Sequence, residues 1–311
     1  MPLIKKICIF LFLALTIVLR VDLHADDISS IDNKDIIIYF DPLLERAARD
    51  LIDIYYEVKI EVETLLGWKY GLKPSVLLTR DRSQFLRTSQ NDLIVAFAVP
   101  EKAIIVIDYS RMGHHIFRPE TILKHEFCHL LLNYHINEKV LPRWLDEGVA
   151  QWISNSIGQI FIDPKKSLLN RAAFRGRFIS LRSLKEGFPY DSESMQLAYE
   201  ESKSFIEFIL GKYGKDSILA ILDYLKRGED VDTAFLKVLP ESLASLEKNW
   251  QNSLRKKINW LTYLSYHIYE IIFGLMGLIS FIGFIRLMVK KRSYMKEEEE
   301  IAGNEFHDDD F

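Results

Sequence analysis

The sequence predicts an α+β domain with a strand-rich first half, a central helix that carries polar chemistry, a helical C-terminal half and a terminal transmembrane helix. Short β-rich runs alternate with turn residues in the first half, and from Pro119 onward apolar residues recur with helical spacing. An almost wholly apolar run at residues 271–285 is followed by Lys290, Lys291 and Arg292. Such a run with a basic end is typical of a membrane span.

Four strands and one long helix are predicted before the central helix, and the long helix follows the first strand. The strands lie at residues 35–39, 75–79, 93–99 and 103–108. The last two are joined at residues 100–102 as a hairpin, and a helix over residues 41–66 closes near Gly67. After residue 192, helices separated near Gly214 and Pro240 complete the domain.

Composition limits the class of protein. The chain has 311 residues, 49% of them hydrophobic, and a net charge of -4. This size suits one substantial globular domain plus membrane segments, and the near-neutral charge argues against a nucleic-acid partner. Of the two cysteines, Cys8 lies in the N-terminal apolar segment and Cys128 in the central helix, so we expect no stabilising disulfide between them.

Both ends of the chain carry membrane-related signals. Lys5 and Lys6 precede the apolar run 7–19, and Ala25 offers a small residue at a cleavage position. The basic residues after the second apolar run stay in the cytoplasm by the positive-inside rule. The predicted organisation is a signal peptide or signal anchor, an extracytoplasmic domain, a transmembrane helix and an acidic cytoplasmic tail, at residues 1–25, 26–258, 266–289 and 290–311.

The central helix contains the pattern His-Glu-Phe-Cys-His at residues 125–129. On a helix, His125 and His129 lie one turn apart on one face, so both imidazoles can reach one metal ion. Glu126 lies beside them, where it can take a proton from water as a general base. This pattern predicts a catalytic zinc site, which uses three protein ligands and keeps a fourth position open.

The third ligand has more than one candidate. His135 has the spacing of a longer histidine motif, but that motif needs a helix-breaking glycine where this chain has Leu132. If the helix continues, His135 points away from the metal, and we expect it to cap the helix or face solvent. Asp146 and Glu147 follow in a second helical pattern. They point about 100° apart, and spacing alone does not choose between them.

The two motifs together, residues 125–129 and the Trp-Leu-Asp-Glu-Gly run at residues 144–148, resemble the gluzincin metallopeptidases. This group includes thermolysin-like enzymes and zinc aminopeptidases, and the likeness is greatest to their small peptidase-MA-like domains. The resemblance implies a zincin-like fold with a small mixed sheet, a Zn²⁺ cofactor and Glu147 as the third zinc ligand. It also implies an edge strand at residues 95–98 that pairs with substrate; an internal strand without a ligand role is the alternative.

The same resemblance implies that Tyr199 faces the metal and stabilises an oxyanion; packing in the core is the alternative for this residue. The chain departs from the family pattern in two ways. Gln151 stands where thermolysin-like enzymes have an aspartate that orients a zinc histidine. No counterpart is evident for the aminopeptidase residues that bind a free amino terminus, which argues against aminopeptidase activity.

Two hypotheses of function follow. The first is a membrane-anchored zinc endopeptidase that hydrolyses a peptide or protein substrate, with Glu126 as general base. The alternative is a catalytically silent binding or scaffold protein of the cell envelope that keeps the same fold. The oligomeric state and the substrate are not predicted by the sequence.

Overall fold

The computed structural model describes residues 28–89, 91–112, 118–155, 167–257, 265 and 267–305. It divides into two compact units, Met1–Lys256 and Lys257–Phe311. The predicted signal segment lies outside the described residues, as does the end of the acidic tail, residues 306–311. The predicted signal segment and the predicted orientation of the tail therefore stay predictions.

A five-stranded mixed sheet has the order β1-β2-β3-β5-β4. The three central strands run parallel, while β1 and β4 pair antiparallel at the two edges. This arrangement confirms the predicted α+β fold with a small mixed sheet. The strands are β1 Ser29–Asp32, β2 Ile37–Phe40, β3 Ser75–Thr79, β4 Ala96–Val99 and β5 Ile104–Asp108.

The strand predicted at residues 93–99 is too long, because β4 begins at Ala96. Arg82 donates hydrogen bonds to the carbonyl oxygens of Asp92 and Ile94, at 2.6 and 2.9 Å. These bonds hold the preceding segment in a loop. The hairpin from β4 to β5 turns through a short 3-10 helix, Pro100–Lys102, and Ala103 at φ 52°.

Ten α-helices are described in these ranges. They are α1 Glu45–Leu66, α2 Arg82–Ser89, α3 Pro119–His135, α4 Arg143–Ser154, α5 Leu168–Arg175, α6 Ser192–Tyr213, α7 Lys215–Lys226, α8 Val231–Val238, α9 Leu243–Lys257 and α10 Ile268–Glu305. The helix predicted from residue 41 begins with a 3-10 turn, Pro42–Leu44, before α1. Helix α1 ends as predicted at Gly67, whose φ of 70° is easily adopted only by glycine.

Helix α1 supplies one wall of the groove that holds α3. Its buried side chains recur every three or four residues, and among them Tyr55 meets Phe127 of α3 edge to face, with ring centroids 5.7 Å apart. Helix α3 is buried along most of its length. Its position is therefore fixed on several sides by packing, which gives the residues it carries a rigid support.

The second unit contains α10, whose segment Ile268–Arg292 is a candidate membrane span by length and composition. Its 25 residues correspond to about 37 Å of helix, which exceeds the roughly 30 Å of a bilayer core. Large apolar side chains are exposed along it; Phe273, for example, is 81% exposed. The candidate span overlaps the predicted transmembrane segment, residues 266–289.

Candidate metal centre

Three buried donors converge from two helices. Helix α3 presents His125 and His129 one turn apart, and α4 presents Glu147 opposite them. The two Nε2 atoms lie 3.1 Å apart, and Glu147 Oε2 lies 3.4 Å from His125 Nε2 and 3.7 Å from His129 Nε2. The three atoms therefore form a small, nearly equilateral triangle.

This triangle has the size of a zinc site. Zinc bonds of about 2.0 to 2.2 Å in a tetrahedron place neighbouring ligand atoms about 3.3 Å apart. Imidazole nitrogens and a carboxylate oxygen are also donors that zinc accepts. Within the described part of the chain, Glu147 Oε2 is buried and receives no hydrogen bond. The donor set therefore fits zinc binding.

The ring of His129 is held by a carboxylate on α4. Its Nδ1 donates a hydrogen bond of 2.7 Å to Asp146 Oδ1, which turns Nε2 toward the triangle. Asn133 contributes from the same helix as His129, since its amide donates to the His129 carbonyl oxygen at 2.9 Å and to Asp146 Oδ2 at 3.4 Å. Asp146 thus orients the ring of His129. The position at which the family pattern predicts such an orienting group holds Gln151 in this sequence.

Gln151 instead links α4 to α6. Its amide donates a hydrogen bond of 3.2 Å to the backbone oxygen of Tyr199. The two helices approach closely at Gly148, where an added Cβ would lie 2.7 Å from the Ser202 backbone oxygen and 2.6 Å from Ile206 Cγ1. The glycine of the Trp-Leu-Asp-Glu-Gly motif is therefore required by packing, and this packing fixes Glu147 relative to Tyr199.

Arg143 lies one turn before Glu147 on α4. Its Nη2 is 2.5 Å from Glu147 Oε1, and its Nη1 is 3.4 Å from Asp146 Oδ2. Its guanidinium and the Tyr199 side chain line the same cleft and interact electrostatically. Sequence reasoning missed Arg143, and it considered Asp146 only as an alternative to Glu147 for the third ligand. The signal available was the spacing of three and four residues to charged partners on one helix.

The charges of the site shift the pKa of several groups. Burial raises the pKa of Glu126 to about 8. Burial opposes the charge on His129, but Asp146 and Glu147 outweigh it and raise the pKa of His129 to about 9. Burial also disfavours the charge on Glu147, yet Arg143 and then His129 hold the pKa of Glu147 well below its usual range.

The predicted catalytic residues line one cleft with a volume of about 350 Å³. Glu126 and Tyr199 both face it, together with His129 and Glu147. Tyr199 also packs edge to face on Phe188, with centroids 4.9 Å apart. Tyr199 therefore both lines the cleft and packs against an aromatic ring, so each of the two predicted environments describes part of its surroundings.

Strand β4 forms one border of the cleft, which Phe97 and Ala98 line. The strand pairs only with β5 within the described sheet and occupies its edge, as the family resemblance implied. His135 lies at the end of α3, where its Nε2 is 2.9 Å from the Lys69 carbonyl oxygen. The structure brings His135 to this loop and not to the three converging donors.

Comparison with known proteins agrees with this fold. A family model described as the Peptidase MA superfamily matches residues 92–256. The uncharacterized protein YhcO of Bacillus subtilis (strain 168) is 24% identical over 164 residues, which cover 51% of this chain and 48% of YhcO. The chain thus spans about half the length of this curated relative.

Three solved structures are similar to part of this chain at low identity. Aminopeptidase A of Legionella pneumophila, in complex with aspartic acid, is 15% identical with a TM-score of 0.45, covering 72% of this chain and 27% of that chain. Leukotriene A4 hydrolase of Saccharomyces cerevisiae is 13% identical with a TM-score of 0.41, and the match covers 73% of this chain and 38% of that chain. An M1 zinc metallopeptidase of Deinococcus radiodurans is 16% identical with a TM-score of 0.35, and the match covers 74% of this chain and 50% of that chain.

The family match covers more than half of the chain and includes all three converging donors. The chain belongs to the Peptidase MA superfamily. The resemblance to a gluzincin, peptidase-MA-like domain is confirmed.

Proposed function

We propose that this protein is a zinc-dependent endopeptidase anchored to a membrane. The observation that carries the proposal is the triangle of His125, His129 and Glu147, with the cleft-facing carboxylate of Glu126 beside it. Membership of the Peptidase MA superfamily supports a metallopeptidase-like function. Peptide bonds are the substrate that this combination of groups suits best.

His125, His129 and Glu147 would hold the zinc ion. A bound zinc ion supplies Lewis acidity, which lowers the pKa of water and polarises an amide carbonyl. Asp146 keeps the proton of His129 on Nδ1, so that Nε2 offers its lone pair to the metal. The chain's own side chains then have to move protons and stabilise charge.

Glu126 accepts the proton of the attacking water and passes a proton to the leaving nitrogen. Burial raises the pKa of this carboxyl group to about 8, close to neutral pH, which suits a group that must both accept and donate a proton. Burial also raises the pKa of Tyr199 above its ordinary value. The phenol therefore keeps its proton and donates a hydrogen bond to the oxyanion that forms on the substrate.

Strand β4 offers the binding edge for substrate. Among the described strands, none pairs with the side of β4 that faces away from β5, so an extended peptide adds to the sheet there through main-chain hydrogen bonds. Such bonds place few demands on side chains and extend on both sides of the scissile bond. This mode of binding favours cleavage within a chain over removal of single terminal residues.

The membrane anchor in this proposal is the apolar segment Ile268–Arg292. The C-terminal end of this segment carries the basic residues Lys290, Lys291 and Arg292. By the positive-inside rule, that end lies toward the cytoplasm. The peptidase domain then lies outside the cytoplasm, and substrates within reach of the membrane surface are preferred.

The test uses the full-length chain, purified in detergent and loaded with zinc, beside Glu126→Gln. A diverse peptide mixture is incubated with each protein and the fragments are identified by mass spectrometry. We expect internal cuts from the unaltered chain alone, in peptides with blocked amino termini as well as free ones. Release of single residues from free amino termini only would contradict the endopeptidase assignment. Zinc binding without any cleavage would favour the silent scaffold.

A further inference from the structure

The carboxylate of Glu147 divides its two oxygens between different partners. Oε2 faces the two histidine Nε2 atoms, whereas Oε1 lies 2.5 Å from Arg143 Nη2. Arg143 precedes Glu147 by one helical turn, so α4 alone sets the geometry of this ion pair. Glu147 is 1% exposed and the Arg143 side chain is 42% exposed, on the wall of the cleft.

We infer that Arg143 is a positioning residue that holds Glu147 as a one-oxygen zinc ligand and thereby keeps the fourth zinc position open. The inference rests on the proposed zinc function. A carboxylate can bind a metal through one oxygen or through both, and a catalytic zinc needs a position free for water or substrate. With Oε1 engaged by the guanidinium, only Oε2 is available to the metal.

The guanidinium of Arg143 also reaches a second carboxylate, that of Asp146. Its Nη1 lies 3.4 Å from Asp146 Oδ2, and the opposite oxygen of Asp146 orients His129. Arg143 and Tyr199 line the same cleft, where their side chains interact electrostatically. An arginine carries several donors in a fixed fork, whereas a lysine concentrates its charge at one point. The fork is therefore the feature that lets one side chain hold the carboxylates of both Glu147 and Asp146.

Charge and geometry make opposite predictions for zinc affinity. The positive charge of Arg143 repels a zinc ion nearby, so a purely electrostatic role means that zinc binds more tightly once the charge is removed. Loss of a partner that orients a metal ligand instead weakens binding about 10- to 100-fold. Removal of the guanidinium also leaves Oε1 of Glu147 buried and unsatisfied, and that oxygen then turns to the metal.

The experiment compares Arg143→Lys and Arg143→Gln with the unaltered full-length chain in detergent. Zinc affinity is measured by competition with a chelator, and the coordination number is read from the visible spectrum of the cobalt-substituted protein. Circular dichroism checks that each variant keeps its helices. Lys185→Gln is the matched control, because it removes the same charge from an exposed side chain lining the same cleft.

We expect both Arg143 variants to bind zinc about 10- to 100-fold more weakly and to show a higher cobalt coordination number, while the control matches the unaltered chain. If only the lysine variant folds, its cobalt spectrum alone decides. Unchanged affinity and spectrum in Arg143→Lys would overturn the inference, as would tighter zinc binding in Arg143→Gln. Because these readouts need no substrate, failure of peptide cleavage in the unaltered chain would refute the proposed function separately.

Discussion

Asp146 Oδ1 accepts a hydrogen bond of 2.7 Å from Nδ1 of His129, across the contact between α4 and α3. The bond fixes the ring and its tautomer, and so determines which nitrogen faces Glu147. Asp146 and Glu147 are neighbours in sequence but serve the same centre in different ways. One orients a histidine and the other completes the donor triangle.

Asp146→Asn tests this orienting role with little change in volume. The amide can donate to Nδ1, which moves the imidazole proton to Nε2 and blocks the metal-facing lone pair. We expect zinc affinity to fall about 10- to 100-fold, measured by chelator competition. Asp223→Asn is the control, since that aspartate accepts a hydrogen bond from Trp68 away from the centre. Equal zinc affinity in Asp146→Asn and the unaltered chain would refute the role.

The sequence predicts most of the fold because its local signals agree with the tertiary packing. Helical periodicity places His125 and His129 on one face. Because Leu132 stands where the longer histidine motif has a helix-breaking glycine, α3 was expected to continue through it, as it does. Helix α2 was missed because it is short and largely polar. A capping signal was available, since Asp81 accepts a hydrogen bond of 3.0 Å from Gln84 N.

The metal centre was predictable only in part. Side-chain direction separates Asp146 from Glu147, but periodicity does not say which of them meets the Nε2 atoms of the two histidines, because that depends on the rotation of α4 about its axis. This rotation is set by the close contact of Gly148 with Ser202 and Ile206 on α6, a long-range contact that no local pattern reports. Arg143 was missed although its spacing of three and four residues to Asp146 and Glu147 was a local signal.

Gly148→Ala should destabilise the domain. The new Cβ meets the backbone oxygen of Ser202, which cannot move as a flexible side chain can. We expect a loss of about 1 to 3 kcal/mol in the free energy of unfolding, seen as a lower midpoint of thermal unfolding. Gly211→Ala is the matched control on α6, where an added Cβ meets nothing within 4 Å. It should be neutral or stabilise by about 0.5 to 1 kcal/mol, and equal destabilisation by both would contradict the packing argument.

Glu201 gives a prediction for pH and stability. Burial raises the pKa of this carboxyl group to about 8, and both its oxygens lie 3.2 Å from Ile179 N. The folded state therefore binds a proton that the unfolded state has released between about pH 4.5 and 8. The stability from Glu201 is full below pH 4.5 and is lost as the pH rises through 8.

Glu201→Gln removes this titration. Relative to the unaltered chain, the variant should gain stability on the order of a few kcal/mol between pH 4.5 and 8, measured by chemical unfolding at several pH values. Glu207→Gln, which alters a largely exposed carboxylate on the same helix, is the control. A constant difference between Glu201→Gln and the unaltered chain over this range would exclude Glu201 as the titrating group.

The central claim is that His125, His129 and Glu147 hold one zinc ion. The direct measurement is the zinc stoichiometry and affinity of the full-length chain beside Glu147→Ala and His135→Ala. We predict one zinc per chain, a sharp loss in Glu147→Ala and unchanged binding in His135→Ala, whose imidazole lies at the Lys69 carbonyl oxygen. Loss of zinc in His135→Ala with retention in Glu147→Ala would contradict the account.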